Sequence, residues 1–148
     1  MENEFGKISV TRVYHIGLPV NDIKRAEKFY VEVLGMKVTG RGSGVRENNR
    51  PFYELLGYWP EVLRLACAKD NKVEVVLFER GKPVERDWKE NGFCHTGLSA
   101  SKEDFDRALE KLKEWGVNFQ VGPIVRNDER TLYIYDPDGN LLQLDDRG

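Results

Sequence analysis

The chain carries two histidines, and each opens the same pattern: His15-Ile16-Gly17-Leu18 and His95-Thr96-Gly97-Leu98, 80 residues apart. A second repeat runs at an offset of 69. Asp70-Asn71-Lys72-Val73-Glu74-Val75 parallels Gly139-Asn140-Leu141-Leu142-Gln143-Leu144, so that Glu74 and Gln143 hold equivalent positions. Two imidazoles, one carboxylate and one amide oxygen suit a borderline divalent cation such as Zn, Ni, Co, Fe or Mn, and four such ligands leave room for water or substrate. A lone strand histidine is by default a hydrogen-bonded core residue. The repetition of both the histidine and the acceptor points instead to two copies of one module paired about a pseudo-two-fold, with His15, Glu74, His95 and Gln143 meeting in a cleft. Glu79 reads as an ordinary solvated strand charge.

The elements that must position these residues follow from local signals. Asp136-Pro137-Asp138-Gly139 is a turn, because Pro pre-sets φ and Gly admits positive φ, and the strand after it turns Leu141 and Gln143 to one face and Leu142 and Leu144 to the other. In chain order, Val10 to Val20 reads as a strand. Asn21 or Asp22 caps a helix with Ile23, Ala26, Tyr30 and Val33 at helical spacing, closed by Gly35, and Met36 to Thr39 returns as a strand. An insertion over 41–60 combines a Gly- and Arg-rich stretch with Pro51 to Pro60, a short aromatic helix or lid. Val62 to Lys69 and Lys72 to Phe78 form a hairpin across Asp70-Asn71, with Cys67 inside its first strand. Arg80 to Gly92 is a charged connector.

The second module opens with Phe93 to Leu98, a strand holding Cys94 and His95. It continues with a helix capped by Ser101 and lined by Phe105, Ala108, Leu109, Leu112 and Trp115, a match for the first helix in place and length. Val117 to Val121, Thr131 to Tyr135 and Leu141 to Leu144 complete its strands. The expected fold class is α+β: one domain over 1–148 made of two βαβββ modules, about 10–80 and 93–146.

Composition bounds the partners. With 23 Lys and Arg against 25 Asp and Glu, a formal charge of −2 and no long run of like charge, nothing calls for nucleic acid or a membrane surface. Cys67 and Cys94 lack disulfide or metal spacing, and Met1-Glu2-Asn3-Glu4-Phe5 lacks the basic and apolar regions of a signal peptide. No apolar run nears membrane-spanning length, so a cytoplasmic protein acting on a small molecule is expected. Arg46, Arg50, Arg64, Arg126 and Arg130 are candidate contacts for an anionic group on that molecule.

His15 to Val20, Phe29-Tyr30, Leu34-Gly35-Met36, Val73-Glu74-Val75, His95 and Asp136 to Asn140 through Gln143 together resemble the vicinal oxygen chelate superfamily. That group includes glyoxalases, methylmalonyl-CoA epimerases, extradiol dioxygenases, and fosfomycin and bleomycin resistance proteins. The resemblance covers Val13 to Asp145 and implies a cleft of curved mixed sheets, a homodimer, and one divalent metal ion on His15, Glu74, His95 and Gln143.

It further implies a lyase or isomerase whose substrate offers two adjacent oxygens to the ion, which stabilises an enediolate when a proton leaves the neighbouring carbon. Glu74, or hydroxide on the ion, is the base. The fourth position is usually Glu in that group, so Gln143 leaves this site one unit more positive, with lower metal affinity and sharper Lewis acidity. Two other activities remain open: ring cleavage on Fe(II), which the loss of the final carboxylate disfavours, and non-catalytic binding of a small molecule.

Overall fold

The structure is a computed structural model and describes residues 8–42, 50–83, 90, 92–117 and 119–148. Residues 43–49 of the expected insertion, Arg46 among them, lie outside the described residues, as does most of the connector, 84–89 and 91.

Two four-stranded mixed sheets carry the chain. The first has the order β1 (His15–Val20), β4 (Glu74–Glu79), β3 (Val62–Ala66), β2 (Lys37–Gly42), and the second the order β5 (Thr96–Ser99), β8 (Leu141–Asp145), β7 (Glu129–Tyr135), β6 (Phe119–Arg126). In each sheet the first and last strands of the module pair in parallel and the remaining contacts are antiparallel. This is the expected α+β architecture of two βαβββ modules.

Helix α1 (Ile23–Lys28) starts on Asp22, whose carboxylate accepts from the Lys24 and Arg25 amides, and runs on as a π-helical segment over Phe29–Val33. Helix α3 (Lys102–Glu114) starts on Ser101, whose hydroxyl accepts from the Asp104 amide. The two helical stretches occupy matching places but differ in form. Helix α2 (Arg50–Leu56) is the expected short aromatic helix of the insertion.

One face of each sheet packs on the helices. Leu63, Leu65, Val75 and Leu77 from the first sheet and Leu132, Ile134, Leu142 and Leu144 from the second join Tyr30, Phe29, Phe105 and Leu112 in a shared core. Each such side chain contributes about 1.5–3 kcal/mol by leaving water. Strand alternation then sends the intervening residues to the opposite, open face: Arg64 and Glu74 in one sheet, Tyr133 and Gln143 in the other.

The halves are joined by the Asp136–Asn140 turn. Asp138 Oδ1 accepts from the Asn21 amide at 2.7 Å and from Arg25 Nη2 at 2.9 Å, and Asn140 Nδ2 donates to the Pro19 carbonyl at 2.9 Å. Tyr30 donates its hydroxyl to Asp136 Oδ2 at 2.8 Å, and the same carboxylate accepts from the Asn140 and Asp138 amides and the Asn140 side chain. Burial pushes the Asp136 carboxyl up against the pull of these donors. Burial and the neighbouring Asp136 charge push the Tyr30 hydroxyl well up.

Several expectations are corrected here. β1 begins at His15 rather than Val10, because the register with β4 ends at the His15–Glu74 pair and, among the described residues, no strand partners the residues before it. β6 extends to Arg126, well beyond Val121, because Asn127 and Asp128 both take positive φ and close a two-residue hairpin into β7. Cys67 follows β3 and Cys94 precedes β5, so both free thiols lie outside the strands. Glu79 is no idle charge: its Oε2 accepts from the Ile23 amide at 3.3 Å at the start of α1.

Candidate functional site

The open face of the first sheet carries His15 beside Glu74. The two are register partners on parallel strands, so their side chains leave the sheet next to one another. Glu74 reaches across Ala66, its antiparallel partner, towards β2. There the register shifts between Val38 and Gly40, a bulge that turns Thr39 so that its hydroxyl donates to Glu74 Oε2. Arg64 Nη1 lies 3.8 Å from Glu74 Oε1. His15 stands edge-on to the Tyr14 ring, centroids 4.5 Å apart, and its Nδ1 is buried without a hydrogen-bond partner among the described residues.

The second sheet's open face carries His95 beside Gln143. Both ring nitrogens of His95 face oxygens that can only accept, the Phe93 carbonyl 2.7 Å from Nδ1 and Gln143 Oε1 at Nε2, and the shorter contact assigns the ring hydrogen to Nδ1. Nε2 of the neutral ring is then an acceptor, and it faces Gln143 Oε1 at 3.1 Å. Phe93 makes this possible by adopting φ +63, which turns its carbonyl back onto the ring two residues later. The Phe93 and Tyr133 rings flank the imidazole with centroids 4.5 and 5.8 Å away.

The structure thus brings the four predicted ligands together as two pairs, His15 with Glu74 and His95 with Gln143. It does not gather them into one cluster: among the described residues, no three His, Cys, Asp or Glu side chains stand close enough to hold a metal ion. The donor chemistry nonetheless fits a divalent cation: the first pair holds a buried His15 Nδ1 with no hydrogen-bond partner among the described residues, and the second sets His95 Nε2 and Gln143 Oε1 facing one another at 3.1 Å.

The arginine candidates sort themselves by contact. Arg130 is fully engaged: Nε binds Asp146 at 2.8 Å, Nη1 binds Asp106 at 2.5 Å, Nη2 donates to the Lys102 carbonyl, and the guanidinium covers the Phe105 ring. Asp146 is in turn held below the usual carboxylate range by Arg130. Arg50 lines a depression of about 280 Å³ with Tyr53 and Trp59, whose rings lie 3.9 Å apart. Tyr58, two residues after that helix, lies past the end of β4 away from Glu74: a side chain at Gly81 would meet its ring at 3.0 Å. Arg64 is the candidate that stands beside a predicted ligand. Thr39, Phe93 and Tyr133 escape a reading by residue type; the aromatic pattern around His95 was the available signal for the latter two.

A family model described as the glyoxalase/bleomycin resistance protein/dioxygenase superfamily matches residues 12–144. The chain belongs to that superfamily. Among its curated relatives are the metallothiol transferase FosB of Staphylococcus epidermidis, 26% identical over 93% of this chain and 82% of that protein, and the lactoylglutathione lyase of Salmonella typhimurium, 27% identical over 90% of each. Among solved structures, a fosfomycin resistance protein FosX from Listeria monocytogenes, complexed with Mn(II) and 1S,2S-dihydroxypropylphosphonic acid, shares the fold. It has a TM-score of 0.67 at 18% identity over 95% of each chain. Superfamily membership agrees with the paired modules and with an open sheet face in each. Among the described residues no helix is long and apolar enough to cross a membrane.

Proposed function

We propose that this superfamily member is a metal-dependent lyase or isomerase, with His15, Glu74, His95 and Gln143 as the ligands of one divalent ion. The observation that carries the reading is the His95–Gln143 pair, in which two acceptor atoms converge at 3.1 Å with the imidazole tautomer fixed by Phe93. When bound, the ion supplies charge stabilisation for a substrate that presents two adjacent oxygens as a proton leaves the neighbouring carbon.

The chain's own residues do the rest. The Phe93 carbonyl keeps the His95 lone pair on Nε2, and the flanking Phe93 and Tyr133 rings hold that imidazole in place. Glu74, oriented by the Thr39 hydroxyl, is the one anionic group among the four and takes the substrate proton.

The two halves of the site come together across a homodimer in this proposal. β1 and β5 are edge strands; Ile16 is exposed on the first of them, and Val13 and Tyr14 are exposed just before it. A second copy placed against that edge would set His15 and Glu74 of one protomer opposite the other's second module.

The relatives named lactoylglutathione lyase suggest the test substrate. Metal-loaded protein is incubated with S-lactoylglutathione in D2O, and loss of the proton signal at the hydroxyl-bearing carbon is followed by NMR. Exchange in the wild type that disappears in Glu74→Gln supports the reading. Exchange that persists in Glu74→Gln removes Glu74 from the role of base, and its absence from the wild type removes this compound as a substrate.

A further inference from the structure

Between the π-helical segment and the end of α3 lies a depression of about 280 Å³ that none of the four proposed metal ligands lines. Its walls are Phe29 from the π-helical segment, Trp115 and Val117 at the end of α3, and Tyr135, Asp136 and Pro137 where β7 runs into its turn. Gly116 takes φ +69 and its amide closes on the Lys113 carbonyl, which ends the helix and leaves the Trp115 ring at the rim, 41% exposed. A cation already stands on that indole: Lys28 Nζ lies 5.6 Å from the ring centroid, drawn by the negative face of the aromatic quadrupole. Lys28 is exposed, and among the described residues its ammonium has no carboxylate partner. It can swing into water at little cost.

The wall behind the indole is acidic. Asp136 is buried, and its carboxylate is held by neutral donors: the Tyr30 hydroxyl, the Asp138 and Asn140 amides and the Asn140 side chain. Asp138 has one cation, Arg25, on Oδ1, and its Oδ2 is buried with no hydrogen-bond partner among the described residues. Two carboxylates therefore share one guanidinium. On the flanking turns Lys28, Lys111 and Lys113 offset Glu32, Glu110 and Glu114, so this corner of the molecule is negative even with Lys28 in place. The carbonyl end of α3 adds to that sign. Because the Asp136 oxygens are taken by their own donors, the depression offers ring faces and charge rather than hydrogen-bond acceptors. An ammonium bearing N–H groups would give up its bonds to water there without replacement, whereas a quaternary one has none to give up.

We propose that this depression binds a small quaternary ammonium compound, its trimethylammonium head set against Trp115 and Phe29 in place of the Lys28 ammonium. The site lies on elements other than those that carry the proposed metal ligands and does not depend on them. Lys28 is its resident cation, and the ligand displaces it.

Choline and its neutral isostere, in which a tert-butyl group replaces the trimethylammonium head, test this because they share a shape and differ in charge. Each is titrated into the wild type, Trp115→Leu, Trp115→Phe and Lys28→Ala, with the indole N–H signals of the chain's three tryptophans followed by NMR and thermal melts checking each fold. Saturation transfer to the ligand methyl groups reads binding where the Trp115 signal is gone. The expected result is that choline moves the Trp115 signal of the wild type with a Kd of about 1–10 mM. The isostere binds about tenfold more weakly. Choline affinity rises about threefold in Lys28→Ala, is partly kept in Trp115→Phe and is lost in Trp115→Leu. Equal affinities for the two compounds, a Trp115 signal that choline leaves unmoved, or an affinity that fails to rise in Lys28→Ala overturns the inference. Undiminished choline binding by a folded Trp115→Leu overturns it too. If Trp115→Leu does not fold, the isostere and Lys28→Ala still decide.

Discussion

His95 Nε2 and Gln143 Oε1 face one another at 3.1 Å with a lone pair on each, because the Phe93 carbonyl claims the hydrogen on His95 Nδ1. Two acceptors cannot bond each other. The contact is resolved by a cation shared between them or by a half-turn of the Gln143 amide that presents its NH2 group to the ring.

Replacing Gln143 by Glu distinguishes these. With a shared cation, an anionic oxygen replaces a neutral one at the same reach, and affinity for the divalent ion should rise by an order of magnitude or more. With a turned amide, the new carboxylate loses its donor and stability falls by about 1–3 kcal/mol whether or not metal is present. Metal titration and thermal melts of Gln143→Glu, with and without the ion, read both.

Tyr30→Phe tests the seam between the halves. The hydroxyl it removes donates to a buried carboxylate, so stability should fall by about 1.5–3 kcal/mol near neutral pH. The sign of the pH dependence is specific. Asp136 has a folded-state pKa already raised by burial, so its contribution is fullest below its unfolded value near 4 and declines as pH rises through the raised value. Losing the Tyr30 donor raises that pKa further, so the variant's deficit should be larger at pH 7 than at pH 4. Denaturant unfolding at the two pH values measures it, and equal deficits would mean that Asp136 does not respond to Tyr30.

Much of this was legible in the sequence, for identifiable reasons. Histidine is rare here, so its repetition at His15 and His95 stood out, and strand alternation placed Gln143 on the face opposite Leu142 and Leu144. Ser101 and Asp22 announced their helices by side-chain chemistry that acts within three residues. What escaped depended on distant partners. The strand at Val10 fails for want of a neighbour, since β4 begins at Glu74. The Tyr30–Asp136 bond joins residues 106 apart in the chain, and no local pattern encodes it. Arg64 and Arg130 are alike in sequence; the Asp106 and Asp146 carboxylates engage one, and an open sheet face exposes the other. The hairpin at Asn127-Asp128 is encoded locally, since Asn and Asp are among the residues that tolerate positive φ, and it carries β6 on to Arg126.

A site shared between protomers has its own signature. His15→Ala and His95→Ala each remove a ligand, and an equimolar mixture unfolded and refolded together should form hybrid dimers in which one of two sites regains all four residues. Such a mixture should recover about a quarter of an ion per chain, against none for either variant refolded alone. No recovery in the mixture would put the complete site within one chain.

The metal itself is the most direct test. Protein loaded with a divalent ion, freed of excess and measured by elemental analysis should hold about one ion per chain, and His15→Ala/His95→Ala should hold essentially none while remaining folded by circular dichroism. A folded double variant that keeps its metal, or a wild type that binds none, would contradict the assignment of His15, Glu74, His95 and Gln143 as the metal site.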